Sequence, residues 1–236
     1  MKKLLLISNS TNYGEEYLEY TTPSVSNFLG TNYKSVLFIP YAGVTVNWVD
    51  YTARVASVFN ELGYTVDPLY KYDDPQQAVK NAEVIVIGGG NTFHLADLLY
   101  KKRIIEAIRA KVNAGTPYIG WSAGSNVACP TLCTTNDMPV IQPESFNCLN
   151  LIPFQINPHY TDFIQPNHAG ETREQRLLEY LKINQEMNVV GLRESSILNI
   201  EGNKMKLIGN KPMRYFRYAN EPQEFFSSDN IDFLLL

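Results

Sequence analysis

Four short apolar runs without polar alternation constrain the fold of this chain more than any other feature. They are Leu4-Leu5-Leu6-Ile7, Val36-Leu37-Phe38-Ile39, Val84-Ile85-Val86-Ile87 and Tyr118-Ile119-Gly120-Trp121. A strand that is apolar on both sides has to be covered on both faces, which is the situation of a parallel strand inside an α/β sheet. The intervals agree. Residues 24–29 are a short helical candidate, and residues 47–62 carry helix period, with Val55, Val58, Phe59 and Leu62 on one face and Gly63 as the stop. A further strand is expected over residues 64–69, and a short helix opens at Asp74-Pro75. The expected fold is α/β: a doubly wound, mostly parallel sheet with helices on both faces. Residues 196–200, 204–208 and 213–218 read as short strands joined by glycine-containing turns, which extend the sheet or form a small C-terminal β appendage.

At 236 residues, the chain is expected to be a single domain spanning 1–236. A formal net charge of -4 without any basic block leaves no electrostatic footprint for nucleic acid or an anionic membrane. The expected partner is therefore small. The opening apolar run stops at Ser8-Asn9-Ser10, too early for a secretory signal, and no other stretch approaches the roughly 18 apolar residues of a membrane span. Three cysteines, Cys129, Cys133 and Cys148, suit neither a disulfide framework nor a zinc site, so reduced thiols in a cytoplasmic protein are expected.

The chemistry gathers where the apolar runs end. Tyr118-Ile119-Gly120-Trp121-Ser122-Ala123-Gly124-Ser125-Asn126 reads as strand, tight turn and helix, the context in which GxSxG becomes a nucleophile elbow with Ser122 at its vertex. Gly88-Gly89-Gly90-Asn91-Thr92-Phe93 follows another strand. Such a loop exposes backbone N–H groups that suit either a phosphate or the oxyanion of an acyl-transfer reaction, although it has neither GxGxxG nor GK[ST]. Both loops lie at carboxyl ends of strands, where open α/β sheets bind ligands. Residues 130–153 hold four prolines and little periodicity, and read as a loop over the site. The apolar strand of residues 154–160 has His159 just past its end, after Pro158. By contrast, His94 and His168 read as surface or satisfied core residues. Residues 170–181 open a helix with Arg173 in its first turn, against the helix dipole, where it suits a ligand carboxylate or a neighbouring glutamate. The strand of residues 188–192 then exits through Arg193-Glu194-Ser195.

Serine, histidine and glutamate occur in that order, whereas in α/β-hydrolases the acid precedes the histidine. Here the chain resembles the peptidase E family of serine peptidases, whose fold is related to the glutamine amidotransferase domains that carry a cysteine at the elbow. The likeness spans most of the length: Leu4 to Thr11, Phe38 to Thr45, the GGGNTF loop, Gly120-Trp121-Ser122-Ala123-Gly124, Thr134 to Pro139, Ile156-Asn157-Pro158-His159 and Gly170 to Arg176. It implies Ser122 as nucleophile, His159 as base and Glu194 as orienting acid, with Asp162 and Glu171 as alternative acids. The chain departs from the family pattern at Ser125, where members often carry alanine, and at Ser195, where they often carry glycine. Expected oxyanion donors are the N–H of Ala123 and that of Gly88 or Gly89. The resemblance implies cleavage of dipeptides with an N-terminal aspartate, a small acidic substrate; a monomer or homodimer is expected. No metal and no cofactor are needed. Arg173 is the candidate for the aspartate side chain, Asp137 for the free amine, and Asn91 for a further substrate contact. A cyanophycinase-like exopeptidase and a catalytically silent binding module on the same fold are the alternatives.

Overall fold

The computed structural model describes residues 1–236 apart from Gln165 and His168, so the reading of His168 lies outside the described residues. The first half runs β1 (Lys3–Ile7), α1 (Thr22–Leu29), β2 (Ser35–Ile39), α2 (Trp48–Glu61), β3 (Thr65–Pro68), α3 (Pro75–Asn81), β4 (Ile85–Ile87), α4 (Thr92–Lys101), α5 (Ile105–Asn113) and β5 (Tyr118–Trp121). The second runs α6 (Ala123–Asn126), β6 (Gln155–Tyr160), α7 (Arg173–Ile183), β7 (Asn188–Arg193), β8 (Ile197–Glu201), β9 (Lys204–Ile208), β10 (Met213–Arg217) and β11 (Gln223–Phe225).

A seven-stranded sheet of order β3-β2-β4-β5-β1-β8-β9 forms the frame. Its first five strands are parallel, and β8 and β9 continue it antiparallel. Alternate side chains of β1 enter opposite cores, as the pleat requires. Leu4 and Leu6 pack with Leu95, Leu99 and Ile108 of α4 and α5, while Leu5 and Ile7 pack with Phe28 of α1 and Val55 and Phe59 of α2. This two-sided burial is why the runs show no alternation. The helices start where polar caps allow: Asn47 accepts from Asp50 N at 2.8 Å, and Asp74, ahead of Pro75, accepts from Gln77 N at 2.9 Å. Sequence expectation leaves residues 101–117 unassigned, yet α5 lies there, with Ile105, Ile108 and Val112 buried at helical spacing.

β6 and β7 are not part of that frame. They pair in parallel inside a separate four-stranded sheet of order β11-β10-β7-β6, with α7 as their crossover. The C-terminal strands thus do both things that were expected as alternatives: β8 and β9 extend the first sheet, and β10 and β11 build the second. A small core of Tyr160, Leu177, Leu181, Val189 and Phe216 joins the second sheet to α7.

Arg193, at the end of β7, fastens this sheet. It donates to Asp162 at 2.7 Å, to both oxygens of Glu224 at 2.7 and 2.8 Å, and to Pro212 O at 2.6 Å. Glu224 also accepts from Arg214 at 2.9 Å. Burial opposes the charge on Glu224, but the bonds from Arg193 and Arg214 outweigh it and hold this carboxyl below its ordinary 4.5. The bond from Arg193 holds Asp162 below its ordinary 3.8. Both folded values lie below the unfolded ones, so the stabilisation is complete above the unfolded values and fades as pH falls through the folded ones. Urea midpoints measured at pH 7, 5 and 3 should therefore fall mainly below about pH 4. Glu224→Gln should lower the midpoint at pH 7 and flatten that acid decline.

Candidate active site

The elbow is built by sterics. Ser122 adopts φ 53 and ψ -112, a sparsely populated region that costs on the order of 1–3 kcal/mol and persists only when the surroundings enforce it. Its N–H donates to Ile7 O at 3.0 Å, and its own carbonyl accepts from Ser125 N and Asn126 N as α6 begins. A Cβ on Gly124 would stand 2.1 Å from Ile87 O, so only glycine lets this helix sit over β4. Ser125 is wholly buried, with its hydroxyl 2.7 Å from both Ile7 O and Gly120 O. It is a packing serine. Ser122 instead lines an open cleft of about 620 Å³ together with His159, Gly89, Asp137, Tyr17 and Arg54.

His159 reaches this cleft from the second sheet. It lies inside β6 rather than past its end, at φ 54, where the register against β7 slips between Pro158 and Tyr160. Such a bulge re-aims a side chain. Nδ1–H can donate to Glu194 Oε1 at 2.8 Å, which leaves Nε2 to accept from the Ser122 hydroxyl at 2.9 Å. The alternative acids are occupied elsewhere, Asp162 by Arg193 and Glu171 by Arg176 at 3.8 Å. Ser195, next to Glu194, takes φ 73, a conformation glycine reaches freely, and its side chain does not obstruct the approach of Glu194 to His159.

The donors for an oxyanion divide differently from expectation. Gly88 is corrected: its N–H is spent on Ile39 O at 3.2 Å in the sheet frame. Gly89 stands against Ser122, since a Cβ on it would lie 3.0 Å from the Ser122 Cβ. Among the described residues, the N–H groups of Gly89 and Ala123 have no acceptor. The Gly89 carbonyl is pinned by the Tyr51 hydroxyl at 2.9 Å, and Tyr51 is itself held by Trp121 Nε1 at 3.2 Å. Burial pushes the Tyr51 hydroxyl up to about 12, so it stays a donor.

The substrate candidates separate. Asn91 caps α4 by accepting from His94 N at 3.0 Å and donates to Met138 O at 2.8 Å, so its carboxamide is engaged at both ends. That is a scaffolding role, because a cap and a loop tie need the groups a ligand would use. Asp137 lines the cleft; its Oδ2 accepts from Thr92 N, Thr92 Oγ1 and Thr135 Oγ1, while Oδ1 has no donor among the described residues. Arg173 is not in that cleft. It lies half-buried in a separate groove with Thr161, Phe163 and Ile164, has no ion-pair partner among the described residues, and burial ahead of repulsion from Arg176 lowers its pKa. The guanidinium in the cleft is Arg54, from α2, set over the Tyr17 ring at 5.5 Å. Sequence reasoning missed Arg54 because it is one polar position on an amphipathic helix. His94 is satisfied, its Nδ1 2.8 Å from Tyr41 O.

A serine at a strained strand-to-helix turn, hydrogen-bonded to a histidine that meets a glutamate, beside backbone amides without an acceptor, is an arrangement suited to serine-nucleophile hydrolysis on an α/β sheet. The profile of "Peptidase family S51" matches residues 4–208. A protein named Peptidase E from Nostoc sp. is 53% identical over 234 residues, covering 99% of this chain and 97% of its own length. Another from Shewanella baltica is 46% identical over 220 residues, 93% of this chain and 92% of its own. The crystal structure of a putative peptidase E protein from Listeria monocytogenes superposes with a TM-score of 0.69 at 22% identity, over 89% of this chain and 100% of that one, a likeness of fold. The chain belongs to peptidase family S51, the peptidase E family of serine peptidases.

Gly124 and Ser125 should differ in what their replacement by alanine costs. Gly124→Ala is expected to lower the thermal midpoint by an overpacking cost of about 1–3 kcal/mol. Ser125→Ala is expected to cost only about 1 kcal/mol, the net worth of its hydrogen bond, with turnover retained. Calorimetry and a peptidase assay on both variants check this.

Proposed function

We propose that this protein is a serine exopeptidase that hydrolyses dipeptides with an N-terminal aspartate, through Ser122, His159 and Glu194. The observation that carries the reading is the unbroken relay from Ser122 Oγ to His159 Nε2 and from His159 Nδ1 to Glu194 Oε1, at 2.9 and 2.8 Å. His159 takes the hydroxyl proton as Ser122 attacks the peptide carbonyl, and Glu194 stabilises the imidazolium that forms. The oxyanion is held by the N–H groups of Gly89 and Ala123. As the tetrahedral intermediate collapses, His159 passes its proton to the departing amine, and water then repeats the sequence on the aspartyl ester. Each oxyanion donor is worth about 2.7–4 kcal/mol of activation free energy.

An Asp-X dipeptide brings one ammonium and two carboxylates. The open Oδ1 of Asp137 suits the ammonium. Arg173 is assigned the aspartate side chain, supported by a half-buried guanidinium that has no ion-pair partner among the described residues. Arg54 takes the C-terminal carboxylate from within the cleft, where a planar guanidinium can grip it through two bonds. No helix among the described residues is long and apolar enough to cross a membrane, and Cys129, Cys133 and Cys148 are free thiols, which supports a cytoplasmic setting for this reading.

Hydrolysis of Asp-Leu, Glu-Leu, Leu-Leu and β-aspartyl peptides tests the assignment. Asp-Leu should be preferred, Ser122→Ala should lower its turnover at least about 10³-fold with the fold intact, and Arg173→Ala should erase the preference over Leu-Leu. Arg54→Ala should instead raise KM for every dipeptide alike, roughly tenfold for one lost charge-assisted pair. A preference for β-aspartyl peptides would mark a cyanophycinase-like specificity, and no turnover of any of them would leave a silent binding module.

A further inference from the structure

Three consecutive residues at the end of β1 each hold one corner of the relay. Ile7 O accepts the Ser122 N–H at 3.0 Å. Ser8 Oγ accepts the His159 N–H at 2.9 Å while donating to Leu192 O at 2.7 Å. Asn9 Oδ1 accepts the Ser195 N–H at 2.9 Å, immediately after Glu194. Ser8 and Asn9 are 0% and 1% exposed. Asn9 is locked in turn: its Oδ1 also faces the Tyr20 hydroxyl at 2.7 Å, and its Nδ2 donates to Thr11 O at 2.9 Å and Asn12 Oδ1 at 2.8 Å. Asn12 Oδ1 accepts the Ser195 hydroxyl at 2.8 Å as well.

Two of the groups held in this way, His159 and Ser195, have left-handed backbone, at φ 54 and φ 73. A residue with a Cβ stays there only when neighbours enforce it. The enforcing groups come from the other sheet, because β1 belongs to the seven-stranded sheet and β6 and β7 to the four-stranded one. Glu194 has no hydrogen-bond partner among the described residues except His159, so its aim depends on the backbone that carries it.

We propose that Ser8 and Asn9 are positioning residues of the hydrolytic site: Ser8 fixes the backbone of the base, and the Asn9 carboxamide, with Asn12, fixes the left-handed turn after the acid. This rests on the serine-nucleophile reading of Ser122, but not on the identity of the peptide. Where glycine would adopt the turn unaided, the serine of this chain needs a clamp. The clamp has a logical signature: removing Asn9 should be harmful with Ser195 present and less harmful with glycine in its place.

The test is covalent inactivation by a fluorophosphonate, which reads activation of Ser122 without any peptide. Asn9→Ala should slow inactivation roughly 10- to 100-fold, the scale of a misplacement near 1 Å, and should lower kcat on any accepted peptide with little change in KM. Asn9→Ala combined with Ser195→Gly should recover most of that loss. Inactivation of Asn9→Ala at the wild-type rate, or no recovery in the double variant, overturns the proposal. If Asn9→Ala does not fold, Asn12→Ala decides in its place: slowed inactivation at an unchanged thermal midpoint supports the clamp, and an unchanged rate overturns it. A wild-type protein inert to the probe would instead overturn the serine-nucleophile reading itself.

Discussion

Ser122, His159 and Glu194 come from two different sheets, and their mutual contact depends on keeping those sheets in register. Ser122 follows β5 of one sheet, and His159 and Glu194 lie at the ends of β6 and β7 of the other. The hydrogen bond from His159 N to Ser8 Oγ ties the halves directly, because it joins the backbone of His159 to the end of β1, the strand paired with β5. β1 suits this duty. It is paired on both sides, by β5 and β8, and its apolar side chains are buried on both faces, so it has no freedom to slide. A fixed central strand with a polar end is a natural datum for geometry that tolerates only about half an ångström of error.

Strain is concentrated accordingly. Ser122, His159 and Ser195 all have positive φ, and each is gripped by a group on residues 7–9. The cost, on the order of 1–3 kcal/mol apiece, is small against the burial of two cores on the faces of the main sheet. Pinning extends to the oxyanion side, where Trp121 and Tyr51 fix the Gly89 carbonyl from beneath. The working surface is thus a set of exposed atoms on a backbone held from behind by buried polar groups.

The parallel sheet was legible because two-sided burial leaves an unmistakable record, the unbroken apolar runs of β1, β2, β4 and β5. That Ser122, His159 and Glu194 would meet was legible because each stands near the end of a strand, on the side where the ends of an α/β sheet converge. The split into two sheets was not: β6 and β7 read as strands like the others, and sheet membership is decided by long-range pairing with β10, which leaves no local mark. Gly88 was misread for a related reason. Glycines next to one another look equivalent in sequence, but one belongs to the ladder with β2 and the next to the cleft. Arg54 and Asn9 escaped notice because polar residues on a helix face or after a strand are ordinary until their neighbours are known.

The parallel pairing of β6 with β7 has a further consequence. Histidine and glutamate ride on adjacent strands of one small sheet, tied by α7 and by Arg193, whereas the serine rides on another body. A slight rocking of one sheet on the other would carry the imidazole and its carboxylate together and leave their contact intact. The contact that such a motion would change is the one between the Ser122 hydroxyl and the imidazole, which the ties to residues 7–9 hold in place.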